Sequence, residues 1–319
     1  MKKWGEKPYY SLDYYLKQTY GRKIYKISLN GGMTCPNRDG TKGDRGCIFC
    51  SSGGSGDFAS SSMLSITEQI EDAKKLILSK LPVSKRQFME GGQPLEQYIA
   101  YFQAYTNTYG KLETLRKIFF EAILHEEVVG LSIATRPDCL DQEILTLLAE
   151  LNAIKPVWIE LGLQTCHEET ARFIRRGYSL PVFEDAVKNL RALSLQVIVH
   201  LILGLPGETK KEVLQSVSYV ASQQVNGIKL QLLHVLEDTD LAHFSFPILA
   251  KEEYIDLVIS CLEIIPDDIV IHRVTGDGPK NLLIAPKWSG NKKLVLNDLH
   301  KTLKQRDTWQ GRKLNYDPK

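Results

Sequence analysis

The chain has 319 residues, of which 43% are hydrophobic and 24% are charged, and its formal net charge is +2. This composition is typical of soluble globular proteins, and the length suits one large core, such as a barrel of alternating strands and helices. Six cysteines are too sparse for a disulfide scaffold, and the near-neutral charge argues against sequence-blind binding to nucleic acid while allowing a local basic face.

The first 23 residues are predicted to be an N-terminal extension rich in aromatic and basic side chains. The extension lacks the apolar core of a secretory signal, and no apolar run in the chain has membrane-spanning length. We therefore expect a cytoplasmic protein with no membrane partner. The rings and cations could stack on bases and neutralise phosphates, or the rings could pack onto the domain. The aromatic and basic residues over 4–25 are Trp4, Tyr9, Tyr10, Tyr14, Tyr15, Tyr20 and Tyr25, with Lys7, Lys17, Arg22 and Lys23.

A strand is predicted at 24–29, and the Gly-rich loop after it carries Cys35, Cys47 and Cys50. The Cys-X-X-Cys spacing of the last two lets both sulfurs reach one metal centre, and the loop can fold Cys35 back to them. Thiolates hold four-iron clusters, normally one per iron, so three would leave one iron open. A structural zinc site would need a fourth ligand, and no histidine precedes His125. On spacing alone, a cluster, a zinc site and a redox pair remain alternatives.

Beyond this loop, strand and helix patterns alternate. A capping box at 65–68 predicts a helix start. Further strands are predicted at 98–104, 128–134, 157–162, 196–203 and 227–233, and helices at 112–126, from 141 onward, and at 168–176, 181–193, 209–223 and 251–264. The segment 269–274 is either a seventh strand or part of a C-terminal extension. Such serial units predict a parallel sheet, either open and doubly wound or closed into a complete or partial barrel.

Polar residues lie on or after each of these strands, and strand ends of this kind gather at one mouth. Singly, each has a structural explanation, such as a satisfied core histidine for His200. Jointly, they predict a binding site beside the cysteine loop. Glu160 lies in an apolar strand and needs a cationic or donor partner, which an amino-acid-like ligand would supply. The set comprises Tyr105, Thr106, Asn107, Ser132, Thr135, Glu160, Gln164, Arg175, His200, Lys229 and Gln231.

Several motifs spread over nearly the full length occur together in one family. They are NGGMTCPNRDG at 30–40, GCIFC at 46–50, FQAYTNT at 102–108, TRPD at 135–138, ELGLQ at 160–164, HLILGLPG at 200–207, and the tail motifs at 276–277 and 307–311. On these residues the chain resembles the radical S-adenosylmethionine (SAM) enzymes, in the branch of the Elongator catalytic subunit and the oxygen-independent coproporphyrinogen oxidases. It is most similar to the YtqA/YhcC-type radical SAM proteins.

The resemblance implies an α/β fold, a partial (β/α)6 TIM-like barrel at 24–265, with the N-terminal extension at 1–23. A C-terminal extension at 266–319 would close the barrel and the substrate side. It further implies a [4Fe–4S] cluster on Cys35, Cys47 and Cys50, with SAM chelating the open iron. Reductive cleavage of SAM would then yield a 5′-deoxyadenosyl radical that abstracts hydrogen from the substrate, while the protein aims the radical and excludes water.

By position, the resemblance assigns contacts with SAM. Its methionine amino group would meet Tyr105, Thr106 and Asn107, and its charged ends Glu160 and Arg175. Ribose would meet Ser132, Thr135 and Gln164, adenine the backbone near Leu205, and His200 would also face the cofactor. The family's Gly-Gly-Glu is replaced here by Ala-Tyr-Thr-Asn at 104–107, and the first cysteine spacing is longer. Catalytic residues are not identified; the candidates are His200, Lys229, Gln231, His272 and Arg273.

For the substrate, the resemblance implies tRNA, with conversion of a carboxymethylaminomethyl group on the wobble uridine to aminomethyl. Its partners would be a tRNA anticodon stem-loop and a reductant such as flavodoxin or ferredoxin, with no DNA. We expect no acyl transfer, since no acetyltransferase domain follows. Alternatives are a radical SAM enzyme for a small metabolite or porphyrin, and a zinc-stabilised RNA-binding protein.

A rim of basic side chains could hold the phosphates of a bound RNA. Its members are Arg38, Lys42, Arg45, Lys85, Arg86, Arg273, Lys280, Lys287, Lys292, Lys293 and Arg312.

Overall fold

The computed structural model describes residues 1–54, 56, 59–80, 97–276 and 278–314. Its strands are β1 (Ile24–Leu29), β2 (Gln97–Phe102), β3 (Val128–Thr135), β4 (Val157–Gln164), β5 (Gln196–Leu203), β6 (Gly227–Leu232), β7 (Val235–Leu236), β8 (Val270–Arg273) and β9 (Leu283–Ala285). Its helices are α1 (Leu12–Tyr20), α2 (Ile66–Lys80), α3 (Leu112–Leu124), α4 (Gln142–Asn152), α5 (Glu168–Phe173), α6 (Leu180–Ala192), α7 (Lys210–Ser222), α8 (Lys251–Ile264) and α9 (Lys292–Gln305).

Seven strands form one parallel sheet in the order β1-β2-β3-β4-β5-β6-β8. The sheet curls into a half-barrel with helices packed around it, which confirms the predicted α/β partial barrel. The segment 269–274 is a strand of this sheet, so the sheet continues past residue 265 into the predicted C-terminal extension. Strand β2 ends at Phe102, two residues before its predicted end, and Tyr105 then turns the chain with φ 58°.

Side chains along β5 point alternately outward and inward, so this one strand contributes to both the hydrophobic core and the cavity. Val197, Val199, Leu201 and Leu203 point outward into the core shared with the helices. The inward side chains are Ile198 near the strand's start, His200 in its middle and Ile202 near its end. Because successive strand residues face opposite sides, a polar residue in an apolar run lies inside the barrel.

The N-terminal segment packs against the ends of the strands opposite the cysteine loop. Helix α1 contacts both edge strands, β1 and β8, and its Leu16 packs in a buried cluster with Trp158 and Ile198. Ser11 caps the helix start, and Tyr15 donates a hydrogen bond to the Gln196 side chain (3.5 Å). The structure therefore supports the packing interpretation of these rings over base stacking.

Truncating Leu16 to alanine is expected to lower the free energy of unfolding by about 2–4 kcal/mol, because the side chain is 4% exposed and a cavity would remain beneath the barrel. Urea unfolding of the apo protein measures this. The matched substitution Leu124→Ala, at a position 63% exposed, should change stability by less than about 0.5 kcal/mol. Equal effects of the two substitutions would mean that α1 does not seal the core.

The C-terminal segment reaches both flanks of the barrel. Strand β9 pairs antiparallel with β7, just after β6, and helix α9 packs against α8. Gln310 fixes the last turn by donating to the carbonyl oxygens of Pro266 (2.6 Å) and Ile269 (2.8 Å). In the part of the chain that the structure describes, no helix combines the length and apolarity needed to cross a bilayer.

Candidate active site

The cysteine loop is held in place by hydrogen bonds to its own backbone and to the chain after β4. The Arg38 guanidinium donates to the carbonyl oxygens of Cys50 (2.9 Å) and Ser51 (2.6 Å). The Asn37 amide donates to the carbonyl oxygen of Arg175 (2.7 Å) and contacts the Cys47 sulfur (3.4 Å). These bonds fix the loop at the carboxyl ends of the strands, as the sequence predicts.

Three thiols, those of Cys35, Cys47 and Cys50, line one cavity of about 160 Å³ at this end of the barrel. Burial raises the pKa of Cys47 to about 12, the neighbouring thiols act in the same direction, and Arg136 opposes them. A bound metal would be needed to hold this sulfur as a thiolate.

The number and arrangement of the sulfurs bear on which kind of metal centre the loop could hold. Sulfurs on one tetrahedral zinc ion lie about 3.8 Å apart, given Zn–S bonds of about 2.3 Å. Among the described residues, the group of three potential ligand atoms within 4.8 Å of one another is Glu71, His125 and Glu127, and the three thiols form no such group. Three thiolates, one per iron, are the ligand set of a four-iron cluster with one iron left open, whereas a closed structural zinc site would need a fourth ligand.

The other walls of the cavity come from β2, β3, β4, β5, β6 and β8 and the turns that follow them. Nine predicted site residues line it: Tyr105, Thr106, Thr135, Glu160, Gln164, His200, Lys229, Gln231 and Arg273. Their assignment to SAM or to catalysis stays a prediction. Sequence reasoning missed the cavity-lining residues Tyr101 and Tyr178, because nothing in the local sequence marks an inward-facing tyrosine.

Five predicted site residues lie outside the cavity lining. Asn107 ties β2 to β3 by donating to two carbonyl oxygens, and Ser132 donates to Glu160 (2.7 Å). Arg175 pairs with Asp240. Leu205 packs in an apolar cluster with Ile48, and His272 lies against Trp158. Their assignment to SAM or to catalysis also stays a prediction.

Glu160 stands at the centre of the cavity floor, and its cationic partners come from the protein itself. One carboxylate oxygen accepts from Lys26 and Ser132, and the other from Lys229 and His200. Burial alone would raise the pKa of Glu160, but the two ammonium groups and the His200 hydrogen bond outweigh it and hold that pKa well below its usual range. The cationic partners that the sequence called for are therefore Lys26 and Lys229, and contact of Glu160 with an amino-acid-like ligand stays a prediction.

His200 is neutral in this network. Burial is the main cause that lowers its pKa, to about 4, and the Lys229 charge adds to it. Nε2 lies 2.7 Å from the ionised Glu160, so Nε2 carries the proton, and Nδ1 accepts from the Gln231 amide (3.3 Å).

We expect the His200 ring resonances to stay constant between about pH 6 and about pH 8, because the charged form is populated only near pH 4. Histidine-labelled apo protein observed by NMR provides the measurement, and the His200→Asn variant identifies the signal. A titration step near the ordinary histidine value would contradict the neutral assignment.

A second cavity of about 120 Å³ adjoins the first and shares Phe49, Gln103, Gln231 and Arg273 with it. Its far wall includes Gly276 and Gly278. A Cβ at Gly276 would come within 2.7 Å of the His234 ring, so this glycine permits close packing of the C-terminal segment. The predicted substrate side thus opens directly from the three-thiol cavity.

Cations of the predicted basic rim are present at this mouth, partly engaged by carboxylates. Lys42 pairs with Asp138 (2.5 Å) and Arg45 with Asp240 (2.6 Å), with 38% and 64% of the two cationic side chains exposed. The predicted rim residues Lys85 and Arg86 lie outside the described residues.

The fold and the site together define an enzyme class, in which a partial parallel barrel places a three-thiol centre beside a buried polar pocket. Family models agree: the Radical SAM superfamily model matches residues 39–220, and the Radical SAM C-terminal domain model matches residues 225–305. The chain belongs to the radical SAM superfamily. Membership implies a [4Fe–4S] cluster and SAM as cofactors. Cys35 precedes the matched segment, so its place rests on the geometry of the cavity.

Among similar proteins, YtqA of Bacillus subtilis is 42% identical over 311 residues, covering 96% of this chain and 93% of YtqA. YhcC of Escherichia coli K12 is 35% identical, covering 91% and 90% of the two chains. The tRNA uridine(34) acetyltransferase of Methanocaldococcus jannaschii is 26% identical, covering 54% of this chain and 32% of its own.

Among solved structures, Methanocaldococcus infernus Elp3 superposes with a TM-score of 0.64 at 16% identity, over 90% of this chain and 64% of that chain. At this identity the likeness concerns the fold alone. The chain thus spans less than two thirds of that structure and about a third of the acetyltransferase.

Proposed function

We propose that this radical SAM enzyme modifies the C5 substituent of the tRNA wobble uridine, converting carboxymethylaminomethyl to aminomethyl. The observation that carries the proposal is the three-thiol cavity, which opens into a second, cation-bearing cavity large enough for part of a substrate. Similarity to a tRNA uridine(34) acetyltransferase supports uridine 34 as the reacting nucleoside. The exposed cations Lys42 and Arg45 beside the mouth support an RNA backbone as the partner.

In this proposal Cys35, Cys47 and Cys50 hold the cluster, which when bound supplies the electron for SAM cleavage and hydrogen abstraction from the substrate. The protein's own contribution is positioning. Arg38 stabilises the loop by donating to the carbonyl oxygen of Cys50, and the Asn37 amide positions Cys47 through a contact with its sulfur. Residues Tyr105, Thr135, Gln164 and His200 are the proposed SAM contacts on the cavity wall, with a flavodoxin or ferredoxin as electron donor.

The overall conversion balances with water as co-reactant. The methylene carbon of the carboxymethyl arm loses two electrons, its C–N bond is replaced by C–O, and glyoxylate leaves the aminomethyl nucleoside. Reduction of SAM to 5′-deoxyadenosine and methionine accepts those two electrons. The products to look for are therefore aminomethyluridine, glyoxylate and 5′-deoxyadenosine in equal amounts.

The test is nucleoside analysis of tRNA from a strain that lacks the gene, paired with reaction of the purified holoenzyme under anaerobic conditions. Deletion should cause carboxymethylaminomethyluridine to accumulate, and the gene, but not its Cys47→Ala variant, should restore the aminomethyl form. Unchanged wobble uridines in the deletion strain, together with no conversion of that tRNA by the holoenzyme, would reject the tRNA assignment and leave the radical SAM assignment in place.

A further inference from the structure

The Asn37 side chain is buried beside Cys47, and its amide group faces three acceptors. It donates to the carbonyl oxygen of Arg175 (2.7 Å) and lies 3.4 Å from both the Arg176 carbonyl oxygen and the Cys47 sulfur. Only 4% of Asn37 is exposed. Its own carbonyl oxygen accepts from the backbone N–H of Gly46 (2.7 Å), so backbone and side chain are both fixed next to Cys47.

The orientation of this amide follows from its surroundings. Carbonyl oxygens only accept hydrogen bonds, so the NH2 group, and not the amide oxygen, faces the carbonyls of Arg175 and Arg176. The reverse orientation would bring three acceptors together in a buried place, which is costly. Of the two amide protons, one is therefore used by the Arg175 carbonyl, and the other is shared by the Arg176 carbonyl and the sulfur.

Metal binding changes what Cys47 offers to these neighbours. In the structure its thiol lies 3.6 Å from the Arg175 carbonyl oxygen, to which it donates. The form of cysteine that ligates a metal is the thiolate, which has no proton to donate, so sulfur and carbonyl oxygen would then face each other as two acceptors. The Asn37 amide contacts both of them. Because a charged acceptor forms the stronger hydrogen bond, the shared amide proton favours the thiolate over the Arg176 carbonyl.

A hydrogen bond to a ligand sulfur affects reduction as well as geometry. It withdraws negative charge from the sulfur, and an iron–sulfur cluster gains a negative charge when it is reduced. The bond therefore stabilises the reduced form more than the oxidised form, which raises the reduction potential. Burial of Asn37 strengthens the bond, because the local dielectric constant is low.

We infer that Asn37 is a positioning residue that raises the reduction potential of the cluster through an amide hydrogen bond to the Cys47 thiolate. The inference goes beyond the proposed function, because it rests on the cluster that family membership implies and not on a tRNA substrate. A higher potential keeps a larger fraction of the cluster reduced at a given potential of the electron donor. The reduced form is the one that supplies the electron for SAM cleavage.

The experiment is an anaerobic redox titration of the reconstituted holoenzyme, without SAM or RNA, followed by the electron paramagnetic resonance signal of the reduced cluster. Asn37→Ala should lower the ratio of reduced to oxidised cluster at a fixed potential at least about tenfold, a downward shift of about 59 mV for a one-electron couple. Asn37→Ser has a shorter donor and should fall between alanine and the native residue. Asn37→Asp has nearly the native shape but replaces the donor with a charged acceptor, so it should lower the ratio at least as much as alanine.

Thr41→Val is the matched control. Thr41 lies in the same loop, and its hydroxyl forms a hydrogen bond with that of Tyr109 (2.8 Å), yet neither residue lines the cavity of the three thiols. This variant should keep the native potential. Iron and sulfide contents verify that each variant holds its cluster.

A native potential in Asn37→Ala overturns the inference, and so does an equal shift in Thr41→Val, which would assign the effect to loop rigidity. Loss of the cluster from the alanine, serine and aspartate variants alike would assign Asn37 to assembly alone, which also overturns it. Loss from Asn37→Asp with retention in Asn37→Ser supports it, since the aspartate sets a charged acceptor beside the sulfur. Because the titration needs no RNA, a failed tRNA assignment leaves its result unchanged.

Discussion

Replacing Cys35, Cys47 or Cys50 with alanine is expected to abolish SAM cleavage, with a loss of more than about 1,000-fold, while leaving the barrel folded. The three thiols line the cavity, and the loop that bears them is held by bonds of Arg38 and Asn37 that the substitution does not remove. The apo variants should therefore unfold within about 1 kcal/mol of the apo native protein. Anaerobic iron and sulfide content, visible absorption and 5′-deoxyadenosine formation provide the measurement.

Cys166→Ser is the matched control. Cys166 is a half-buried thiol outside the cavity lining, and its sulfur lies 3.4 Å from the Ser216 hydroxyl. This variant should keep its cluster and its SAM cleavage. A zinc-stabilised RNA-binding protein would behave differently, since zinc would be found in place of iron and loss of a ligand would unfold the domain.

Much of the fold follows from patterns that the sequence displays directly. The apolar runs around Val197 and Val199 predict buried parallel strands, and the capping box at Thr209 and Glu212 predicts the start of α7. The location of the site could be inferred as well, because the carboxyl ends of parallel strands meet at one end of the barrel. Nine of the predicted site residues accordingly line one cavity with the three thiols.

Side-chain contacts between distant strands of the barrel could not be predicted from the sequence. Lys26 and Glu160 are separated by 134 positions, and their contact depends on the curvature of the sheet, which no local pattern encodes. The family resemblance assigns Asn107 and Ser132 to SAM, and that assignment stays a prediction. In the structure the Asn107 amide donates to backbone carbonyl oxygens and the Ser132 hydroxyl donates to Glu160, and such long-range partners of buried polar groups cannot be read from the sequence.

Glu160→Gln is expected to destabilise the apo protein by roughly 3–5 kcal/mol, because it leaves two buried lysines without their counter-charge. In the native protein the pKa of Glu160 is lowered, so its contribution to stability is present above about pH 4 and is lost as the pH falls further. The free energy of unfolding of the Glu160→Gln variant should instead depend on pH in the alkaline range. Burial lowers the pKa of Lys26 and of Lys229, and Glu160 no longer opposes this.

Stability of Glu160→Gln should therefore rise with pH up to the unfolded lysine value of about 10.4, since the unfolded chain binds more protons than the folded one in that window. Urea unfolding at about pH 7 and about pH 9.5 should show the gap to the native protein narrowing. Adding Lys229→Met should recover about 1–2 kcal/mol, because it removes one of the two stranded charges. Additive losses in the double variant, or a gap independent of pH, would show that the carboxylate acts through packing and not through the two ammonium groups.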